Sequence, residues 1–88
     1  MKSSFKGGGM KTRELLRTIQ AALEADRNIL LEDTPDTIKE WDSLGHLAIL
    51  VSIDKKLGGR ASKIKKLATC SSAKDFVVVL KKHGLLED

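Results

Sequence analysis

One segment of this chain is apolar on two sides of a helix, and no other feature constrains the fold as tightly. It runs from Ser43 to Leu57 and is followed by Gly58-Gly59. At about 100° per residue, His46, Ile49, Leu50, Ile53 and Leu57 fall on one stripe. Leu44, Leu47, Ala48 and Val51 fall on a second stripe on nearly the opposite side. A surface helix in a monomer needs only one. Two readings therefore stand side by side. Either the helix is central and buried on both faces, or one face belongs to the core and the other is offered to a partner or ligand. Asp42 or Ser43 supplies the N-cap. The glycine pair ends the helix, because a helix stop favours a residue that takes the left-handed conformation without strain.

Helical spacing also organises the rest of the chain. Leu15, Leu16, Ile19, Ala22 and Leu23 place a first helix over about residues 12–24, with Arg13, Arg17, Gln20 and Glu24 on its other face. Residues 60–69 suit a short helix that turns Ile64 and Leu67 inward and leaves Lys63, Lys65 and Lys66 in solvent. Ala73, Phe76, Val77 and Leu80 define a last helix over 73–82, opened by the capping-box spacing Ser72-Ala73-Lys74-Asp75 and closed at His83-Gly84. The strand propensity of Val77-Val78-Val79 is outweighed by those boundary signals. Between the first two helices lies a long acidic connection, residues 26–42, with strong turn chemistry at Asp33-Thr34-Pro35-Asp36. Ile29, Leu30, Leu31 and Ile38 are expected to pin this loop to the bundle. Residues 1–10, with Gly7-Gly8-Gly9, read as a flexible tail, and residues 11–88 as one helical domain.

A chain of 88 residues makes one domain and buries roughly 60% of its unfolded surface. That suffices for one small core and not for a deep enzyme cleft. Only Phe5, Trp41 and Phe76 are aromatic, so the core must be aliphatic. The lone Cys70 cannot form an internal disulfide, no Cys/His cluster has metal-ligand spacing, and a reducing, cytoplasmic setting is expected. No signal peptide and no membrane-spanning run is visible. Residues 11–42 hold five basic and eight acidic residues, whereas residues 43–88 hold nine basic and four acidic ones. The basic half raises nucleic acid or an acidic partner as possibilities. Its single aromatic, Phe76, sits at core spacing and argues against nucleic acid.

No constellation suited to catalysis stands out. The glycine runs lack phosphate-loop spacing. His46 lies one turn after Ser43, but it falls among the core residues and reads as a partly buried, hydrogen-bonded histidine. His83 reads as a C-terminal cation of the last helix or a plain surface residue. The sharper signal is Glu40-Trp41-Asp42-Ser43-Leu44-Gly45-His46-Leu47, which follows a long acidic loop and opens a helix. Here the chain resembles the acyl and peptidyl carrier proteins, whose attachment motif is Asp-Ser-Leu at the start of the second helix of a four-helix bundle. The Trp-Asp-Ser-Leu-Gly-His form is similar to a variant among specialised bacterial carriers, and the resemblance covers about residues 11–84. It implies an all-α, four-helix bundle of acyl-carrier type with a long loop between helices 1 and 2. It also implies a 4'-phosphopantetheine arm on Ser43, with Asp42 and Leu44 shaping recognition by a phosphopantetheinyl transferase. The carrier itself would perform no catalysis. Acyl-activating enzymes, acyltransferases or synthases would act on its thioester-bound cargo, and it would work as a monomer.

Local chemistry agrees with that placement. A serine at a helix start is reachable by a modifying enzyme, and the resulting phosphodiester is favoured by the free N–H groups and positive dipole end of the helix. Gly45 is expected to leave space beside the arm. The second stripe, Leu44, Leu47, Ala48 and Val51, with Lys55, becomes the surface that partner enzymes meet. The chain departs from the resemblance in charge. Typical carriers are acidic along helix 2, whereas here Asp54 is its only acid and Lys55 and Lys56 follow it. A dedicated lipid, polysaccharide or secondary-metabolite pathway fits that better than ordinary fatty-acid synthesis. The competing expectation is a small basic helical module that binds nucleic acid or another protein and carries no modification.

Overall fold

In the computed structural model, which describes residues 10–87, helical spacing becomes three α-helices. These are α1 (Thr12–Leu23), α2 (Ser43–Lys56) and α3 (Ala73–Lys82). No strand occurs among the described residues, and the class is all-α. α1 packs chiefly on α2, and α3 packs on α1 and on the segment that precedes it. The core is aliphatic around a small aromatic centre: Leu15, Ile19, Ile49, Ile53, Leu67 and Leu80 are fully buried with Phe76.

The boundaries follow capping chemistry. Asp42 is the N-cap of α2, its carboxylate accepting the Gly45 N–H at 2.8 Å. At the other end Gly58 takes φ +65°, and Gly59 N–H reaches the Asp54 carbonyl at 2.9 Å, which closes a Schellman stop. α3 opens on Ser72, whose hydroxyl accepts the Asp75 N–H at 3.1 Å. The Asp75 carboxylate reaches one residue further back than a standard box, to the Ser71 N–H at 2.9 Å. That bond is the main reason its carboxyl sits below the usual carboxylate range. The valine run stays helical within these limits.

Three expectations need correction. Residues 60–69 form two 3₁₀ turns, Ala61–Lys63 and Lys65–Thr69, in place of an α-helix. The reason lies in the spacing. Ala61, Ile64, Leu67, Cys70 and Ala73 are buried at intervals of three, the repeat of a 3₁₀ helix and not of an α-helix. Ile64 and Leu67 do point inward, and Lys63, Lys65 and Lys66 are exposed. Second, Leu30 and Leu31 are exposed, and only Ile29 and Ile38 anchor the loop through side chains. Third, Met10 is buried and not part of a free tail. Its N–H donates to the Leu85 carbonyl at 3.0 Å and its carbonyl accepts the Glu87 N–H at 2.9 Å, pairing it with Leu86. The remainder of the expected tail, residues 1–9, lies outside the described residues.

The long connection is held mainly by polar contacts. Asp33, buried, takes a bidentate pair from Arg27 at 2.9 and 3.2 Å, the Leu30 N–H at 2.7 Å and the Thr37 hydroxyl at 2.9 Å. The backbone carbonyls of Asp33 and Leu31 accept the Ala73 and Lys74 N–H groups, both at 3.0 Å. Two of the four donors that a helix start leaves unpaired are thereby satisfied by the loop.

The hydrogen bonds from Arg27 are the largest cause holding the Asp33 carboxyl below its ordinary range, with those from Leu30 and Thr37 adding to it. A group shifted this way contributes stability above its unfolded pKa and loses it as pH falls through the lower, folded value. The chemical-denaturation midpoint should hold at neutral pH and fall below about pH 4. Asp33→Asn should be less stable than the parent at pH 7 and show a shallower acid limb; parallel limbs for the two proteins would remove Asp33 from the acid response. The two stripes of α2 separate in the same assay. Ile53→Ala should cost about 2–5 kcal/mol. Val51→Ala, at an exposed position where alanine is the better helix former, should stay within about 0.5 kcal/mol of the parent. Equal losses would mean that both stripes are buried.

Candidate functional site

The residues singled out at the start of α2 come together at one end of the bundle. The loop delivers the buried Trp41, the Trp41 N–H bonds to the Ile38 carbonyl at 3.0 Å, and the helix begins two residues later. Because Asp42 takes the cap, Ser43 becomes the first helical residue with its side chain exposed. No group among the described residues bonds to its hydroxyl. The Ser43 and Leu44 N–H groups likewise lack an acceptor there, while Gly45 N–H is taken by Asp42. An exposed hydroxyl thus stands beside two free backbone donors at the positive end of a 14-residue helix.

Gly45 plays a different part from the one its spacing suggested. A Cβ at this position would collide with the Glu40 carbonyl oxygen and lie 2.7 Å from Leu23 Cδ2. Its bare backbone admits the loop and the end of α1 against α2, and leaves no room for anything else. The close approach is between parts of the fold, and residue 45 makes no space for a ligand.

His46 is half-buried and fully engaged. Trp41 Nε1 lies 3.0 Å from His46 Nδ1, and His46 Nε2 lies 3.2 Å from the Leu67 carbonyl. An indole N–H only donates, so Nδ1 accepts and Nε2 carries the proton that goes to Leu67. Both ring nitrogens are engaged, and neither is left to activate Ser43. The ring also closes an aromatic cluster, with ring centroids 6.3 Å from Trp41 and 5.6 Å from Phe76, and Trp41 lies 6.2 Å from Phe76. The hydrogen-bonded histidine expected from the pattern is present. Its partners were not expected, although Trp41 and His46 belong to the same short motif.

Beside Ser43 lies an open groove of about 530 Å³, floored by Trp41 and His46 and walled by Pro35, Asp42, Ala68 and Cys70. Pro35, Ala68 and Cys70 escaped sequence reasoning as members of this region; the interval-of-three spacing that carries Cys70 inward was the available signal. The Cys70 thiol is pushed up to about 11, chiefly by burial and secondarily by the nearby Asp75 charge. It is a protonated, inert wall. Among the described residues no group of three or more His, Cys, Asp or Glu side chains could hold a metal ion. No helix there is long and apolar enough to cross a membrane.

The second stripe of α2 emerges from the same end. Leu44, Leu47 and Val51 are 77%, 56% and 53% exposed, Ala48 is half-buried and Lys55 is exposed. Ile49, Ile53 and Leu57 fill the core opposite. Among the described residues nothing buries the second face, and the exposed stripe runs from Leu44 towards Lys55.

No protein-family model, curated protein or solved structure matches the chain. Residue chemistry and geometry therefore carry the functional reading.

The packing at Gly45 is open to a signed test. Helix propensity alone predicts that Gly45→Ala gains about 1 kcal/mol. The collision with Glu40 and Leu23 predicts instead a net loss of about 1–3 kcal/mol. A denaturation midpoint at or above the parent's would show that the loop yields easily and that residue 45 does not fix its approach.

Proposed function

We propose that this chain is an acyl carrier protein in which Ser43 bears a 4'-phosphopantetheine arm. The observation that carries the reading is the exposed, unpartnered Ser43 hydroxyl within Trp41-Asp42-Ser43-Leu44-Gly45-His46, at the first turn of a helix and at the mouth of a groove. The three α-helices are compatible with such a bundle, with the 3₁₀ segment 61–69 standing where a further helix was expected.

The residues present fit the group. A phosphodiester on Ser43 would face the free N–H groups of Ser43 and Leu44 and the positive end of α2. Asp42 keeps the helix start in place by holding Gly45 N–H, and its exposed carboxylate, like Leu44, is available to the modifying transferase. Trp41 and His46, with Ala68 beside them, give the groove a largely apolar lining along which an arm could lie. When bound, the arm supplies a thiol that carries an acyl group as a thioester. The chain's own part is to hold that attachment point and present it. Acyl-activating enzymes, acyltransferases or synthases of a specialised lipid, polysaccharide or secondary-metabolite pathway would act on the cargo. Leu44, Leu47, Ala48, Val51 and Lys55 form the surface for such enzymes, and a monomer offers that surface without obstruction.

Incubation with coenzyme A, magnesium and a broad-specificity phosphopantetheinyl transferase should add one phosphopantetheinyl group, read by intact mass. Ser43→Ala should abolish the addition while its helical circular dichroism and melting stay those of the parent, because no group among the described residues bonds to the lost hydroxyl. Addition persisting in that variant, or none to the parent with several transferases, would sink the assignment.

A further inference from the structure

We propose that the face formed by α2 and the 3₁₀ segment docks an acidic amphipathic helix of a protein partner. This partner chemistry rests on the carrier reading of α2 as the helix other proteins meet, but the face can be tested without the arm.

Three observations converge there. First, a second open groove of about 410 Å³ lies between α2 and the 3₁₀ turns, with Leu50, Val51, Ile64, Leu67 and Ala68 as its apolar lining. It borders the exposed stripe of Leu44, Leu47 and Val51, so an apolar ridge and an apolar trough run side by side. Such a surface accepts the apolar face of a helix. Second, the chain that follows Asp54 and walls the groove is basic. From Lys55 to Lys74 the chain has seven basic residues and no acid. Lys55, Lys63, Lys65 and Lys66 are exposed and make no ion pair among the described residues. Third, the one acid of α2 is partly engaged. Asp54, at the groove, accepts the Ser62 N–H at 2.8 Å and so tethers the first 3₁₀ turn. One of its oxygens is committed to that bond, and the other charged residue lining the groove is Lys65.

The same features weigh against the other basic-surface ligands. A membrane favours a convex apolar face, whereas this one is a trough beside a ridge. Single-stranded nucleic acid favours aromatic faces for stacking, and both Trp41 and Phe76 are buried; a duplex offers phosphates but nothing to fill an apolar trough. An acidic helix with an apolar stripe matches both the trough and the rim, and opposite charges would speed its encounter.

The test is an NMR titration of the ¹⁵N-labelled full chain, unmodified at Ser43. The probe is a designed amphipathic peptide about five helical turns long, with glutamates flanking a leucine and phenylalanine stripe. A peptide with lysines in place of the glutamates, phosphatidylglycerol vesicles and a DNA duplex are run in parallel. The acidic peptide should shift amides of α2 and residues 61–68. Its affinity should fall about 5-fold or more in the double variant Lys55→Glu, Lys65→Glu, and again between about 0.05 and about 0.5 M salt. Amide spectra of the variant confirm its fold. Equal affinity for the lysine peptide, preferential binding to vesicles or duplex, shifts confined to other regions, or no shifts with the acidic peptide would each overturn the proposal. None of those results touches the mass readout of Ser43 modification, so the two readings can fail separately.

Discussion

The buried carboxylate of Asp33 is the interaction on which the remaining geometry depends. The connection between α1 and α2 offers few apolar side chains to the core, so its path has to be set by polar bonds. Asp33 gathers the Arg27 guanidinium, the Leu30 N–H and the Thr37 hydroxyl, and its own carbonyl with that of Leu31 caps α3. A buried charge is tolerated when it is paired and its oxygens are fully bonded. Asp33 meets that condition with Arg27 and Leu30 from the chain before it and Thr37 from the turn that follows. The loop is therefore fixed at α3 before it reaches Ile38 and Trp41, which are buried.

From Trp41 the constraint passes into α2. The indole donates to His46, His46 donates to the Leu67 carbonyl, and both rings lie against Phe76 of α3. One cluster thus joins the loop, α2, the 3₁₀ segment and α3. The Glu40 carbonyl sits where a side chain at residue 45 would be, which sets how closely the loop approaches the helix start. The exposure of Ser43 is a consequence. With Trp41 driven inward and Asp42 committed to the cap, the next residue must turn outward at the first turn of the helix.

Local signals made much of this legible. The caps at Asp42 and Ser72, the stop at Gly58 and the two stripes of α2 are written within a few residues of the elements they define, and each reappears in the fold. What escaped depends on distant parts of the chain. The exposure of Leu30 and Leu31 follows from a loop held by Asp33, whose buried state no hydropathy pattern announces. The bridge of Met10 to Leu86 joins opposite ends of the domain. The role of Gly45 depends on a carbonyl five residues earlier and a side chain on another helix. The interval of three from Ala61 to Ala73 was present in the sequence, yet an α-helical repeat and a 3₁₀ repeat share the spacing i, i+3 and diverge only when followed for several steps.

Packing among the described residues accounts for Ile49, Ile53 and Leu57 but not for Leu44, Leu47 and Val51. At exposed helix positions leucine and glutamate have nearly the same helix propensity, and valine is worse than either. Replacing these three with charged or polar residues would therefore take nothing from the helix and would improve solubility. Single exposed apolar residues are ordinary on any protein surface. Three in register on one face, beginning next to an exposed serine and running beside an apolar trough, are not scattered. Folding stability does not demand them. The proposed docking gives them a use, as a face covered by the apolar stripe of a partner, with Lys55 and Lys65 beside it to favour an acidic one.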